Sequence, residues 1–90
     1  MSNIIYAITN NYGFLSNKLT KSGKPTFCRK YKNAWITADR DEAYCMNRLL
    51  EANGYVNPNG FGEGIIKIDN SDGLFNDMLK QKKTLNMSIR

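Results

Sequence analysis

The alternation of apolar and polar positions divides the first third of the chain into short strands separated by turns. Residues 4–8 are β-branched and aromatic, residues 14–19 follow a turn at 10–13, and residues 26–31 follow a second turn at 21–25. Asparagine and glycine in the first turn can adopt the positive φ that a tight turn needs. The pattern therefore predicts an antiparallel meander of three strands.

The clearest local signal is a helix over about residues 40–52. Asp39 and Glu42 have the spacing of a capping box, in which each side chain accepts a hydrogen bond from a free backbone N–H group at the helix start. The apolar positions at helical spacing are Ala43, Met46, Leu49 and Leu50. Asn53-Gly54 is a typical helix end, because glycine readily adopts the left-handed conformation.

The second half of the chain is less regular. Residues 57–64 are rich in asparagine, proline and glycine and predict a loop, and residues 64–68 return to strand character. A short helix over about 72–82 could be capped by Ser71 or Asp72. The tail at 84–90 alternates with period two, so it is read either as an edge strand or as a frayed end.

Together these elements predict one α+β domain over residues 1–90. Its small antiparallel sheet would have three to five strands, with the 40–52 helix packed on one face and the 72–82 segment as a short second helix. Ninety residues bury a modest core and leave little room for an enclosed active-site cleft.

Composition narrows the function classes. The sequence has no histidine, the commonest general base and metal ligand, and its two cysteines cannot by themselves form a four-ligand zinc site. The helix cap accounts for several of the acids, and only Glu63, Asp69 and Asp72 leave a carboxylate-only site open. We expect no enzymatic activity, no catalytic residue, no metal and no cofactor.

Cys28 falls in a predicted strand and Cys45 in the predicted helix. Free cysteines in such places usually behave as small buried apolar residues, although a bridge between the two stays open. Two cysteines are too few for a disulfide scaffold, and no segment has the pattern of a signal peptide or a membrane span. These features favour a soluble cytoplasmic protein.

Charge is unevenly distributed along the chain. Residues 1–38 carry six basic residues and no acid, residues 39–77 have a balance of −5, and residues 78–90 carry +4, which gives the total of +5. Such segregation favours a polarised surface that attracts an oppositely charged partner. The alternative is that the basic and acidic segments pair with each other across the fold.

The basic segment supplies the candidate contact residues. These are Lys18, Lys21, Lys24, Arg29, Lys30 and Lys32. Tyr12 and Phe61 are candidate aromatic anchors, Phe61 because it lies between glycines at a loop tip, unless it folds back over the core. Gly60, Gly62 and Gly64 only weakly suggest a phosphate-binding loop, because a strand rather than a helix is predicted after them.

A resemblance extends over about residues 4–54. The chain resembles small bacteriophage accessory proteins in the order Tyr6-x-Ile8, Gly13-Phe14-Leu15-Ser16, then Asn33-Ala34-Trp35-Ile36-Thr37, then Asp39-x-x-Glu42-Ala43. The class includes anti-defence proteins, anti-CRISPR proteins among them, that bind and disable a host factor. The resemblance implies that class of action, in the cytoplasm of the host cell, but it carries over no binding residue.

The first hypothesis is therefore a non-enzymatic inhibitor that binds a host protein or ribonucleoprotein complex in defence or nucleic-acid processing. The second is direct nucleic-acid binding, since the basic segment also contains aromatic residues that could stack on bases. The third is a sponge for an anionic nucleotide signal, bound by the basic segment and the glycine loop together. The oligomeric state stays open.

Overall fold

The computed structural model describes residues 3–82, 85 and 87, and it confirms the predicted α+β fold. Four strands form one antiparallel sheet in the order β3-β2-β1-β4. The elements in chain order are β1 (Ile4–Asn10), β2 (Gly13–Leu19), β3 (Pro25–Cys28), a 3₁₀ turn (Tyr31–Asn33), α1 (Arg40–Ala52), β4 (Gly64–Asp69) and α2 (Asn76–Lys80).

The first two strands separate soon after their turn, and a later part of the chain fills the gap. They pair at two positions next to the turn, after which residues 34–37, here called the inserted segment, bridge to β1 at Tyr6 and to β2 at Ser16. The backbone of Tyr6 exchanges two hydrogen bonds with that of Thr37, at 2.8 and 3.0 Å. The backbone N–H of Trp35 donates to the carbonyl of Leu15 at 2.7 Å. The inserted segment thus satisfies backbone groups that the divergence would leave bare.

Strand alternation divides the apolar side chains between the two faces of the sheet. One cluster packs under α1, and its buried members are Ile8, Leu15, Trp35, Leu50 and Val56. The other lies on the opposite face under α2, and its buried members are Ile5, Ala7, Ala34 and Ile36. Neighbours Trp35 and Ile36 belong to different clusters because successive residues of an extended chain point to opposite faces.

Helix α1 has the predicted bounds, but its capping box is only half formed. The Asp39 side chain accepts hydrogen bonds from the backbone N–H groups of Asp41 and Glu42. The Asp39 N–H donates to the hydroxyl of Thr37 at 3.0 Å rather than to Glu42, so the reciprocal half of the prediction is wrong. The Glu42 carboxylate is instead paired with Lys82.

The end of α1 is a Schellman motif, as Asn53-Gly54 predicted. Gly54 has φ of +80°, its N–H donates to the Glu51 carbonyl, and the N–H of Tyr55 donates to the Leu50 carbonyl at 2.9 Å. These two bonds satisfy carbonyl groups that the last turn of a helix leaves without partners. The motif also packs Tyr55 against the cluster under α1.

Two predicted elements are shorter than expected. Strand β3 ends at Cys28 rather than at residue 31, because the chain leaves the sheet edge through the 3₁₀ turn to reach the inserted segment. Helix α2 starts after Phe75 with no side-chain cap, and Asp72 closes a turn by accepting from the Leu74 N–H. Its bounds are 76–80, not 72–82.

The tail prediction falls largely outside the described residues. Of residues 84–90 only Leu85 and Met87 are described, and both pack against the cluster under α1. Within the described part of the chain, no helix has the length and apolar character that crossing a membrane requires.

The cysteines differ from the expectation of two buried residues. Cys45 is exposed and Cys28 is half-buried, and both are free thiols. Cys45 lies two positions after the buried Ala43, and this spacing turns it away from the buried side of α1. Cys28 pairs with Phe14, which packs in the cluster under α2, so the two thiols belong to opposite faces of the sheet.

Candidate functional site

One end of the sheet gathers four chain segments and is here called the hairpin end. There β1 finishes at Asn10, β2 begins at Gly13, β3 finishes at Cys28 and β4 begins at Gly64. The pairings of Thr9 with Gly64, and of Phe14 with Cys28, fix this alignment. The loops that leave these strands therefore share one end of the molecule.

Both predicted aromatic anchors lie in those loops and point into solvent. Tyr12 occupies the two-residue turn between β1 and β2 and is 75% exposed. Its N–H donates to the side chain of Asn10 at 2.8 Å, which fixes the turn. Phe61 is as exposed as an isolated residue, at 104%, so the alternative in which it folds back over the core is wrong.

Hydrogen bonds hold the loop that carries Phe61. The N–H of Gly60 donates to the Asn57 carbonyl at 2.9 Å, and the N–H of Asn57 donates to the Glu63 carboxylate at 3.1 Å. The Thr9 hydroxyl donates to the Gly62 carbonyl at 2.7 Å, which ties the loop to the end of β1. The loop continues directly into a strand, so it has no helix N-terminus with which to hold a phosphate.

Two of the predicted basic residues join the aromatic residues at the hairpin end. Arg29 and Lys30 directly follow β3 and are exposed. Their chain passes close to the first turn, because a Cβ built on Gly13 would lie 3.4 Å from the Arg29 backbone nitrogen. Tyr12, Arg29, Lys30 and Phe61 therefore form one exposed set, here called the hairpin-end surface.

The remaining basic residues lie elsewhere, so the structure divides the predicted surface. Lys21 and Lys24 are exposed in the turn that joins β2 to β3, at the opposite end of the sheet. A strand rises about 3.3 Å per residue, which places that turn roughly 20 Å from the hairpin end. The glycine loop and this turn are thus too far apart to hold one small ligand together, so a nucleotide bound at the glycine loop would not reach Lys21 or Lys24.

Lys18 and Lys32 meet in a third place, a cleft on the α2 side of the sheet. The cleft has a volume of about 390 Å³ and lies between the end of β2, the 3₁₀ turn, the inserted segment and α2. Its lining residues are Asn17, Lys18, Lys32, Ala34, Ile36, Met78, Gln81 and Lys82. Three of these are cations, and none is an acid.

Lys82 is the functional candidate that the sequence reading missed. Its ammonium group donates to the Thr37 hydroxyl at 3.2 Å, pairs with the Glu42 carboxylate and lies 5.7 Å from the centre of the Trp35 ring. Burial acts to raise the pKa of Glu42, but hydrogen bonds with Lys82 and Thr37 outweigh it and hold that pKa below its ordinary value. The charge excess of residues 78–90 was the available signal.

The charge layout is only slightly neutralised inside the fold. All six basic residues between 18 and 32 are exposed, and none forms a salt bridge with another residue that the structure describes. The described ion pair joins Glu42, from the acidic segment 39–77, to Lys82, from the basic segment 78–90. The six positive charges of residues 1–38 therefore stay available to a partner.

The carboxylate-only site is not assembled. Glu63 precedes β4 and bonds a backbone N–H in its own loop, whereas Asp69 ends β4 and accepts from Ser71. Since β4 separates them by six residues, their carboxylates lie roughly 20 Å apart. No group of three or more acids and cysteines suited to hold a metal occurs among residues 3–82, 85 and 87.

Comparisons with protein-family models, with curated proteins and with solved structures found no match to this chain.

Proposed function

We propose that this chain is a small non-enzymatic binding protein that docks on an acidic partner through the hairpin-end surface. The observation that carries the proposal is that two exposed aromatic rings, Tyr12 and Phe61, lie at the same end of the sheet as the exposed Arg29 and Lys30. Aromatic residues and arginine are the residue types that dominate the energetics of protein interfaces.

Phe61 supplies the anchor in this arrangement. Full burial of a phenylalanine side chain contributes about 1.5–3 kcal/mol relative to its exposed state. Because hydrogen bonds already hold its loop, little loop entropy is lost when a partner covers the ring. The flanking cations attract an acidic surface and speed the encounter, an effect that salt screens.

The finer proposal concerns the partner. The resemblance of residues 4–54 to bacteriophage accessory proteins supports an inhibitor that disables a host defence or nucleic-acid-processing complex in the host cytoplasm. A protein or ribonucleoprotein complex of that kind offers acidic grooves or a nucleic-acid path that cations can enter. The hairpin-end surface, rather than the whole basic segment, would then make the contact.

The experiment is an affinity capture with matched variants. Wild-type protein, Phe61→Ser and Leu74→Ser serve as baits in bacterial lysates, with bound proteins quantified by mass spectrometry. Leu74 is the control because it is also a large exposed apolar residue, at 62%, and precedes α2 rather than lying at the hairpin end. We expect a partner that wild type and Leu74→Ser retain and that Phe61→Ser loses at least tenfold. Equal retention by both variants would overturn the proposed surface.

Single-stranded nucleic acid is the second candidate partner, and the exposure of the aromatic residues favours it. Tyr12 and Tyr31 are both exposed within the basic segment, where bases could stack on them. Binding of a labelled oligothymidine, measured between 50 and about 200 mM salt, tests it. Nucleic-acid binding predicts a steep loss of affinity with salt and a stronger loss in Arg29→Gln/Lys30→Gln than in Lys21→Gln/Lys24→Gln. No binding at the lowest salt would exclude it.

A further inference from the structure

The cleft on the α2 side is a site distinct from the hairpin-end surface. It exists because β1 and β2 diverge, and the inserted segment that fills the gap presents the small side chain of Ala34 toward α2. Helix α2 has only five residues and leaves part of that face open. The cleft volume of about 390 Å³ is within the usual range for small-molecule sites.

The lining combines an apolar floor with a cationic rim. Ala34 and Ile36 close the bottom of the cleft but are only 4% and 3% exposed, so the half-buried Met78 presents more open apolar surface than either. Lys18 and Lys32 stand on the rim without a salt bridge to any described residue. A ligand that fills both parts must be a small anion with an apolar group attached.

The charge balance indicates the kind of anion. Glu42 neutralises Lys82 from outside the cleft, which leaves the charges of Lys18 and Lys32 uncompensated. A phosphate monoester carries about −1.5 to −2 at neutral pH and matches two lysines, whereas a carboxylate matches one. Lysine acts as a point charge without directional demands, which suits the equivalent oxygens of a phosphate.

Two amide side chains add the means to recognise the organic part. Asn17 and Gln81 both line the cleft, and each offers a donor pair and an acceptor. A planar heterocycle placed on the apolar floor could use such groups at its edge. We infer that this cleft binds a phosphomonoester with an apolar or heterocyclic group, of the size of a nucleoside monophosphate. This inference does not rest on the proposed function, because none of the hairpin-end residues lines the cleft.

The binding experiment uses AMP, adenosine and inorganic phosphate as probes in isothermal titration calorimetry. The cleft predicts that AMP binds more tightly than either fragment, since only AMP occupies both the rim and the floor. Lys18→Gln/Lys32→Gln should weaken AMP binding by at least tenfold, because each lysine contributes a charged hydrogen bond. Lys21→Gln/Lys24→Gln removes the same charge outside the cleft and should change the affinity by less than threefold. Equal loss in both variants, or no binding of AMP, would overturn the inference.

A second measurement uses the wild-type protein, so it does not depend on how a variant folds. Methyl NMR signals of Met78 and Met46 report the two faces of the sheet, since Met78 lines the cleft and Met46, on α1, packs against the cluster on the other face. AMP should shift the Met78 signal and leave that of Met46 in place. Shifts confined to Met46, or no saturable shift at Met78, would count against the cleft. Partner capture with Phe61→Ser is independent of both readouts, so either proposal can fail alone.

Discussion

Replacing Gly13 by alanine tests how the hairpin end is built. Gly13 has φ of +130°, and an added Cβ would lie 2.9 Å from the carbonyl carbon of Cys28 and closer still to its oxygen. The backbone conformation alone costs a non-glycine residue about 1–3 kcal/mol, and relief of the overlap adds about 1–3 kcal/mol. Because the overlapping atoms are backbone, the end of β3 must move. We expect a loss of about 2–6 kcal/mol in the free energy of unfolding.

The matched control is Gly54→Ala. Gly54 also has a positive φ, of +80°, but an added Cβ would meet no atom within 4 Å, so only the conformational cost of about 1–2 kcal/mol remains. A 90-residue domain has a total stability of roughly 5–13 kcal/mol, so both losses are measurable by urea denaturation. Each 1 kcal/mol corresponds to about 4–8 °C in melting temperature. If Gly13→Ala is no less stable than Gly54→Ala, the close approach of β3 to the first turn is wrong.

Three further predictions concern the helix, its ion pair and the thiols. Asp39→Ala removes the acceptor for two N–H groups and should cost about 1 kcal/mol in urea denaturation, while Asp41→Ala, with no capping role, should cost clearly less. Because the folded pKa of Glu42 is lowered, its contribution to stability is present above about pH 4.3 and is lost as the pH falls through the folded pKa. Stability curves between pH 7 and 3 should therefore fall less for Glu42→Gln than for wild type, and parallel curves would exclude the Lys82 pairing. Burial raises the pKa of the Cys28 thiol, with only partial offset by a hydrogen bond to Ser16, so a maleimide should label the exposed Cys45 first at pH 8. Faster labelling of Cys28 in the native protein would contradict the assigned exposure of the two thiols.

Much of the fold was predictable because its signals are local. The bounds of α1 follow from Asp39 at one end and Gly54 at the other, where side-chain and backbone chemistry within a few residues decides the structure. The strand alternation likewise follows from β-branched and aromatic residues between turns. Such features need no knowledge of distant contacts.

The inserted segment could not be predicted in the same way. Residues 34–37 pair with β1 and β2 only because those strands diverge, and that divergence is a tertiary property. The half-formed capping box has a separate and local cause, since the hydroxyl of Thr37, two residues earlier, accepts the hydrogen bond from the Asp39 N–H.

The exposure of the candidate contact residues could be predicted from the sequence, but their grouping could not. Exposure of the charged residues is expected for lysine and arginine, and Phe61 between two glycines had little scaffold to cover it. The division into a hairpin-end surface, a distant turn and a cleft depends on strand register, which assigns each loop to one end of the sheet. Lys82 lines the cleft, and its ion-pair partner Glu42 lies forty residues earlier in the chain.

The central claim, that the hairpin-end surface is where a partner docks, is tested most directly by site-specific crosslinking. A photoreactive phenylalanine analogue is placed at position 61 and, as the control, at position 74, which is also exposed but lies elsewhere. On irradiation in a bacterial lysate, position 61 should give one discrete crosslinked species that unlabelled wild-type protein competes away, and position 74 should not. A competable species from position 74 alone, or from both positions equally, would contradict the account.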